Sequence, residues 1–452
     1  IPIFAILLLA LMAPALMAQS QTVSGTVIDP SGAVVPGAQI KITDTAKGTV
    51  AREVTTDETG RFQAINMQPG TYLVAVEMSG FKTAEVQFRL DVNSKLDIGQ
   101  IKLEVGQVSE VVSVTETTPA VQTNTMEKAF LVSPNQIQEL PMNGRNWVAL
   151  MSTVPGMTSG SRNDFEMNFN DVSSFHALGG RGSQNNFYLD GSPNLDVGDN
   201  QSQYTQPSID SIAEFKVQQS SFNAEYGRNS GMVVAVQTKA GSGRFHGTAY
   251  EYHREDAFDG IRPLTAKNAI LRYNQFGGNF SGWIPLPKVS TESEKKLFFF
   301  YNRENTIRNN PSGGYRDVPS PDILVNGNFS AWLTDKPMDY APQFKTGTVF
   351  KPGTVKHDGP GGAITYGVPF ENNTVPKTMW QPLSANLMKM YTSIPGYSSL
   401  PAAPNPGYVR YTYNNANKLN KYQDLLRVDY ALSSKMNTYF RWVNDDQSET
   451  ID

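Results

Sequence analysis

Cysteine is absent from the 452 residues of this chain, which excludes disulfide bonds and thiolate metal sites. Charge of neither sign dominates, because 38 basic residues stand against 42 acidic ones. There is also no basic tail or stripe, so the composition argues against a nucleic-acid partner. After the first 18 residues, no run is long and apolar enough for a transmembrane helix, although a β-barrel would not need one.

Histidine is scarce and scattered, at His176, His246, His253 and His357. On a regular strand, His246 and His253 would lie on opposite faces and could not share a metal ion. No Ser/His/Asp arrangement has a supporting context, and the glycine-rich loop at 179–182 lacks the Lys-Ser/Thr of a phosphate-binding loop. The sequence therefore predicts no enzymatic activity, no catalytic or metal-binding residues and no cofactor.

Glycine, tyrosine and phenylalanine are plentiful, with 37, 19 and 23 residues, as turn-rich and aromatic-rich β structure requires. The length predicts about three domains. The apolar run 1–18 resembles the core of a signal peptide with cleavage near Ala18, and it is expected to be incomplete at its N-terminus. A single anchoring helix is the alternative for this run.

Residues 22–104 alternate short β-prone runs with turn signals, which predicts about seven strands in a small antiparallel β-sandwich. Tyr72, Val74 and Val76 fall on one side of a strand, the pattern of a half-buried strand. The runs SGTVIDPSGAVVPGAQI, TTDETGRF and MQPGTYLVAVEMSGFK resemble the carboxypeptidase-regulatory-like domain. That resemblance implies a β-sandwich without catalytic residues, and the absence of histidine here excludes a zinc carboxypeptidase site.

Residues 105–125 are β-prone but lack turn residues, and they are expected to form a linker. Within them, Glu110, Val111, Val112, Ser113 and Val114 resemble the TonB box of outer-membrane receptors. This resemblance implies that the segment pairs by strand addition with a TonB-type periplasmic energy transducer. The alternative is a last sandwich strand followed by a linker.

Three features follow in order over residues 126–243. A short helix is predicted at 133–141, with Ser133 as N-cap. A glycine-rich turn, a strand and an Asp-Gly turn occupy 178–191, and a helical turn runs into a strand at 209–217. Their order resembles the plug domain of TonB-dependent receptors, and LPMNGRNW resembles the Oar-like subfamily. The residues that carry the plug motif are Arg181, Gly182, Asp190, Gly191, Tyr226 and Gly227. Arg181 is expected to bond within the plug or to the barrel wall.

The run 224–252 changes its strand character across the glycines at 241–243, from an apolar strand to alternating polar and aromatic residues. We interpret this as the boundary between the plug and the first strand of a barrel that occupies 244–452. Thr248, Tyr250 and Tyr252 share one face of that strand, which is expected to face lipid. Further strands are predicted at 273–282, 296–304, 422–431 and 437–443. A soluble sandwich could show the same alternation.

About five barrel strands are expected here, whereas plugged transporters have about 22, so the chain is expected to be incomplete at its C-terminus. Residues 305–420 are rich in Pro, Gly and Asn and predict a long extracellular loop. Trp332, Tyr340, Phe344 and Trp380 are its candidate ligand contacts, and local loop packing is the alternative.

The sequence thus predicts a mainly β chain: a periplasmic β-sandwich, an α+β plug domain and the start of a transmembrane antiparallel β-barrel. The resemblance implies a TonB-dependent outer-membrane receptor or transporter. Its expected partners are the energy transducer, outer-membrane lipid and an extracellular ligand that the sequence does not identify. A surface adhesin or structural β protein without transport activity is the alternative.

Overall fold

A computed structural model describes most of the chain and divides it into two compact units. The larger unit comprises Ile1–Arg254, Tyr273–Ile307 and Leu419–Ser448, and the smaller unit comprises Glu255–Arg272, Arg308–Lys418 and Glu449–Asp452. The described residues are 21–106, 111–114, 126–159, 172, 174–198, 200–223, 225–260, 270–292, 294–359, 362–394, 396–415, 417–434 and 436–451. The predicted signal peptide therefore lies outside them. The chain is mainly β, and no helix of the described residues has the length and apolar character needed to cross a membrane.

The first eight strands form two sheets that pack as a sandwich. They are β1 (Gln21–Ile28), β2 (Gln39–Asp44), β3 (Thr49–Thr55), β4 (Arg61–Met67), β5 (Gly70–Glu77), β6 (Thr83–Leu90), β7 (Lys95–Lys102) and β8 (Val111–Val114). One sheet has the order β4-β1-β7 and the other β3-β2-β5-β6-β8. The alternation at Tyr72, Val74 and Val76 is as expected, since all three are buried in the core between the sheets.

Aspartate side chains shape the sandwich turns. Asp57 Oδ1 accepts hydrogen bonds from the backbone N–H groups of Thr59 and Arg61, at 2.8 and 3.0 Å, so that β4 can begin directly after the turn. Gly60 adopts a φ of 69°, which only glycine adopts at little cost. Hydrogen bonding, first from the Thr59 side chain, lowers the pKa of Asp57. The sequence TTDETGRF therefore specifies this turn locally.

A central domain follows, built on a mixed sheet. Its strands are β9 (Lys128–Val132), β10 (Met157–Ser159), β11 (Phe175–Ala177), β12 (Asn186–Leu189), β13 (Ser192–Pro193), β14 (Ile212–Ser220) and β15 (Val233–Thr238). The main sheet has the order β13-β12-β15-β14-β9, with β12 and β15 parallel, and β10 pairs with β11. Helical segments are α1 (Pro134–Glu139) and 3-10 turns at Asn143–Arg145, Trp147–Thr153, Gly182–Gln184 and Ile209–Ser211.

The local signals of the central domain are found where the sequence places them. Ser133 caps α1 in a capping box with Gln136, and Pro134 occupies the first turn. The apolar run that becomes β15 is buried at every position. Trp147 packs edge-on against Phe215, with the ring centroids 5.1 Å apart. These contacts give the domain its own hydrophobic core.

The remaining strands complete the chain. They are β16 (His246–Glu255), β17 (Arg272–Trp283), β18 (Leu297–Asn309), β19 (Ser312–Pro319), β20 (Pro337–Met338), β21 (Ala341–Lys345), β22 (Lys356–His357), β23 (Ile364–Tyr366), β24 (Tyr408–Asn415), β25 (Asn417–Ser433) and β26 (Met436–Ile451). Five of them form a sheet of the order β16-β17-β18-β25-β26, which we call the barrel sheet because the sequence predicts barrel strands here. In the described residues this sheet is open, with β16 and β26 at its edges.

The face of β16 that carries Tyr250 and Tyr252 contacts protein and not the lipid that the sequence predicts. Tyr250 donates a hydrogen bond to Glu304 on β18 at 2.9 Å, and the guanidinium of Arg145 lies 3.9 Å from the ring centre of Tyr252. These tyrosines therefore face the central domain and not lipid. Alternation determines which residues share a face, but only the tertiary packing determines which face is covered.

The smaller unit contains more structure than its sequence predicts. β19 and β24 pair along their whole length, and two helices, α2 (Pro321–Asn326) and α3 (Pro382–Thr392), accompany them. Short 3-10 turns lie at Asp256–Phe258, Ser330–Trp332, Glu371–Asn373, Lys377–Met379 and Tyr397–Ser399. A small core contains Ile323, Leu324, Tyr397 and Val409. Most of these elements are too short for hydrophobic periodicity to reveal them.

Candidate functional site: a buried charge network on the barrel sheet

Asp190 lies at the tip of the hairpin between β12 and β13. Asp190 and Gly191 have φ values of 46° and 84°, as a type I′ Asp-Gly turn requires. The Asp190 side chain is 1% exposed. Its two oxygens accept hydrogen bonds from the backbone N–H and the hydroxyl of Thr238, at 2.7 and 2.6 Å. The turn is thereby fixed to the end of β15.

The barrel sheet brings two arginines and a tyrosine to this turn. Arg441 Nη1 lies 2.7 Å from Asp190 Oδ2, and Arg427 Nη1 lies 3.7 Å from Asp190 Oδ1. Arg427 also donates to the carbonyl of Thr238 at 3.2 Å, and Tyr439 donates to the carbonyl of Asp190 at 2.8 Å. Arg427 is 1% exposed, so its charge depends on these partners.

The sandwich reaches the same cluster through Asp429. Arg427 binds this carboxylate with two nitrogens, at 3.0 and 3.1 Å. Lys47 of the sandwich lies 3.6 Å from it, and Gln68 donates to it at 3.2 Å. We call these eight residues the charge network: Lys47, Gln68, Asp190, Thr238, Arg427, Asp429, Tyr439 and Arg441. It joins all three parts of the larger unit.

A second contact joins the sandwich to the central domain at Glu214 on β14. The Glu214 carboxylate accepts a hydrogen bond from the backbone N–H of Val92 at 2.6 Å and forms an ion pair with Arg89. Its side chain is 2% exposed. Burial raises the pKa of Glu214, and the positive charge of Arg89 opposes that shift only in part. Docking of the two domains therefore makes the charged form of this carboxyl less favourable.

The turn at Asn93 completes this contact. Asn93 has a φ of 53° and donates from its side chain to Gln218 at 2.7 Å. Tyr226 donates its hydroxyl to the Asn93 side chain, and Lys216 donates to the Asn93 carbonyl at 3.0 Å. Lys216 also forms an ion pair with Glu127, just before β9. Burial raises the pKa of Tyr226, so that its hydroxyl remains a hydrogen-bond donor.

The glycines at 241–243 mark a close packing point. A Cβ atom on Gly241 would lie 2.5 and 2.6 Å from backbone atoms of Phe299 and 2.8 Å from the carbonyl of Gly282. Gly243 donates to the carbonyl of Ala46 in the sandwich at 3.0 Å. The segment therefore needs glycine because backbones approach closely there.

Substitution of Gly241 by alanine is expected to destabilise the chain by roughly 1–3 kcal/mol, since the displaced atoms are backbone and cannot rotate away. Gly227→Ala is the matched control, because a Cβ there meets no atom within 4 Å. Urea unfolding of both variants measures the difference. Equal stabilities would contradict the close-packing explanation.

A cleft of about 180 Å³ lies beside the 3-10 turn at Asn143–Arg145. Arg145 forms an ion pair with Asp210 and stacks over Tyr252. Tyr273 of β17 donates its hydroxyl to the carbonyl of Gly144 at 3.2 Å. The cleft therefore combines cationic and aromatic side chains from the central domain and the barrel sheet.

The plug-motif residues identified in the sequence take part in different contacts. Asp190 and Gly191 belong to the charge network, while Tyr226 contacts Asn93 of the sandwich. The carbonyl of Gly227 accepts from Asn186 at 3.3 Å, and Gly182 is buried. Arg181 is exposed, and its backbone N–H donates to the side chain of Gln184 at 3.5 Å.

The TonB-box candidates fall at the edge of the sandwich. Val111, Val112, Ser113 and Val114 form β8, which pairs in parallel with β6. Glu110 lies outside the described residues. The segment is therefore a strand of the sandwich sheet, as the alternative interpretation expects. Its role as a TonB box stays a prediction.

The four aromatic loop candidates differ in their surroundings. Trp332 stacks on Tyr408 with ring centroids 5.9 Å apart, and Phe344 packs edge-on against Phe350 at 4.7 Å. Trp380 donates to the carbonyl of Val375 at 3.2 Å. Tyr340, by contrast, is 70% exposed. Three of the four side chains thus pack locally, and only Tyr340 among them has a largely exposed side chain.

Several residues of the charge network were not predicted from the sequence as site residues. Arg427 and Asp429 stand two residues apart in a strand-like run, and Arg441 occupies an alternate position of the next one. Charges repeated on one face of adjacent strands are a usable signal for a wall that contacts another domain. Glu214 and Asn93 carry no comparable signal, because each is a single polar residue in an ordinary context.

Comparison with known protein families agrees with this organisation. Residues 22–104 match the carboxypeptidase regulatory-like domain, and residues 237–451 match the outer membrane β-barrel domain. The TonB-dependent transporter Oar of Myxococcus xanthus is 24% identical over 307 residues, which cover 63% of this chain and 27% of that protein. The chain thus spans about a quarter of the length of this curated relative.

Solved structures give only partial likenesses. A streptococcal ancillary pilin is 16% identical with a TM-score of 0.17, covering 19% of this chain and 33% of the pilin. Catechol 1,2-dioxygenase from Pseudomonas arvilla is 10% identical with a TM-score of 0.17, covering 21% of this chain and 54% of the enzyme. Both scores are too low to support an inference about fold or function.

Residues 237–451 are thus similar to outer membrane β-barrel domains, and residues 22–104 to the carboxypeptidase regulatory-like domain. In the part that aligns, the chain is also similar to a TonB-dependent transporter, the Oar protein.

Proposed function

We propose that this chain acts as a TonB-dependent transporter of the outer membrane, in which the central domain is the plug of the barrel. The charge network is the observation that carries the proposal. A plug must be held against the barrel wall by contacts that are specific and yet can be broken. Buried ion pairs meet this requirement, because their net stability is small while the loss of one partner is costly.

The proposed mechanism begins at the segment 111–114. The energy transducer binds this segment by strand pairing on the periplasmic side, where the sandwich also lies. The chain then runs toward β9, an edge strand of the central sheet that pairs only with β14 among the described strands. Force on the segment would therefore act first on β9 and on the Glu127–Lys216 ion pair before it.

Displacement of β9 would open the edge of the plug while the charge network keeps the rest against the barrel wall. β9 contributes only five residues to the sheet, so a local opening costs less than unfolding of the domain. The ligand would approach from the extracellular side, which is the side proposed for the smaller unit and its exposed Tyr340. The cleft at Arg145 suits an anionic or aromatic ligand, because it presents a guanidinium over a tyrosine ring. We assign the chain no catalytic step.

Proline at Val112 is expected to abolish binding of the energy transducer, because it removes a backbone N–H and fixes φ within the four-residue strand. The sandwich core should stay folded, since β8 is at the edge of its sheet. Co-purification of the chain with the periplasmic domain of the transducer measures the effect.

Val112→Ala is the matched control, as it keeps the N–H group and should keep binding. Undiminished co-purification of Val112→Pro would exclude this segment as the TonB box. An absence of binding by the unsubstituted chain would reject the TonB-dependent function itself.

A further inference from the structure

The order of the sandwich sheet places β8 at its end, beside β6. The register pairs Thr83 with Val111, Ala84 with Val112, Glu85 with Ser113 and Val86 with Val114. Backbone hydrogen bonds also join the residues that precede β6 and β8. The N–H of Lys82 donates to the carbonyl of Glu104 at 2.8 Å, and the N–H of Gly106 donates to the carbonyl of Gly80 at 3.2 Å.

Every strand has two hydrogen-bonding edges, and successive residues direct their backbone groups to alternate sides. One edge of β8 is used by β6. No described strand pairs with the opposite edge, because β8 ends the order of its sheet. An edge of this kind is a template for an incoming strand.

We infer that the sandwich and β8 together form a preformed docking edge, and that the energy transducer adds its strand to the outer edge of β8 while β8 stays on β6. This inference rests on the proposed function. It gives the carboxypeptidase regulatory-like domain a specific role, which is to hold the TonB box in the extended conformation that strand addition needs.

Two physical reasons favour docking in place over release of the strand. The incoming strand uses the backbone groups on the edge of β8 opposite β6, where no described strand pairs, so the two pairings do not compete. A segment that is already extended also avoids the conformational entropy that a disordered segment loses on binding. Release of β8 would instead break its existing ladder before the new one forms.

A reversible staple between β6 and β8 separates these two mechanisms. Glu85 and Ser113 are register partners, and Glu85 is on the opposite face from Ala84 and Val86, which are buried in the core. Because the chain has no cysteine of its own, Glu85→Cys combined with Ser113→Cys introduces a single possible disulfide. Adjacent strands are close enough for such a bond.

Binding of the purified periplasmic domain of the transducer is measured on the oxidised and reduced forms of this double variant and on the unsubstituted chain. Docking in place predicts that oxidation changes the dissociation constant by less than about threefold, or tightens it. A loss of about tenfold or more on oxidation, restored by reduction, would mean that β8 must leave β6, and the inference would be wrong.

The remaining outcomes are also decisive. If the disulfide does not form under mild oxidation, β8 is not held on β6 and the inference fails. If the unsubstituted chain and both forms of the variant bind no transducer, the proposed function fails and the inference fails with it. The Glu85→Cys single variant controls for the loss of the glutamate, and it should bind as the unsubstituted chain does.

Discussion

Replacement of Asp190 by alanine is expected to lower the free energy of unfolding by about 3–5 kcal/mol, the cost of breaking a buried ion pair from one side. The change leaves Arg427 at 1% exposure with one carboxylate fewer and deprives Arg441 of its carboxylate partner. It also removes the acceptor for two hydrogen bonds from Thr238. Urea unfolding of the chain in lipid or detergent, followed by tryptophan fluorescence, measures the loss.

Two control variants test whether the loss of stability in Asp190→Ala comes from the buried charge. Asp190→Asn keeps an acceptor for the Thr238 N–H but removes the charge, so it should lose less stability than Asp190→Ala. Glu139→Ala removes an exposed carboxylate of the same domain and should change stability by less than about 0.5 kcal/mol. If Asp190→Ala is as stable as Glu139→Ala, the charge network does not hold the central domain to the sheet.

The partners of Asp190 also make the effect non-additive. Arg441→Ala removes one cation but leaves Asp190 bonded to Thr238 and near Arg427. The double variant of Asp190 and Arg441 should therefore lose less than the sum of the single variants. Additive losses would indicate that the two residues stabilise the chain independently.

The turn at Asp190 shows which part of the charge network could be predicted from the sequence. The Asp-Gly pair is a local signal, because positive φ at two successive residues favours these residue types. The turn could thus be predicted at its correct position. Its partners could not, because Arg427 and Arg441 meet it only through the register of β25 and β26, which depends on the tertiary packing of distant segments.

For the tyrosine face of β16, the sequence likewise predicts the local pattern but not the contacts. The period of two correctly grouped Tyr250 with Tyr252, since it follows from strand geometry alone. The assignment of that face to lipid was wrong, because aromatic residues suit both a membrane interface and a contact with a partly buried cation. Arg145, about a hundred residues upstream, decides between them.

Glu214 gives the second large effect, at the contact between the sandwich and the central domain. Glu214→Ala is expected to weaken this contact by about 3 kcal/mol, because the buried N–H of Val92 loses its acceptor and Arg89 loses its partner. Limited proteolysis measures the effect as faster separation of the sandwich from the central domain. The core of each domain should remain folded, since both have separate hydrophobic clusters.

Glutamine at this position should behave differently from alanine. It can still accept the hydrogen bond from Val92, and it carries no charge whose burial is unfavourable. Burial is the main cause that raises the pKa of Glu214, so docking makes the charged form less favourable than it is in the separated domains. Glu214→Gln should therefore weaken the contact at neutral pH less than Glu214→Ala does, although Arg89 loses the charge of its partner.

The direction of the pH dependence follows from the same shift. A carboxyl whose pKa is higher in the docked state than its ordinary value of 4.5 binds a proton more readily when docked. Its contribution to docking is therefore fully present below that ordinary value and is lost as the pH rises through the raised pKa. Arg89 and Asp91 are the charged groups near it, and they act in opposite directions on its pKa.

Proteolysis across the range from pH 4 to pH 8 should thus show the sandwich of the unsubstituted chain becoming easier to separate as the pH rises, while Glu214→Gln shows a flatter profile. Asp91→Asn is the control for a nearby carboxylate that does not accept the Val92 hydrogen bond. A profile of Glu214→Gln that is as steep as that of the unsubstituted chain would assign the pH dependence to another group. The contact at Val92 would then be a fixed hydrogen bond, and the sandwich would not respond to protonation at Glu214.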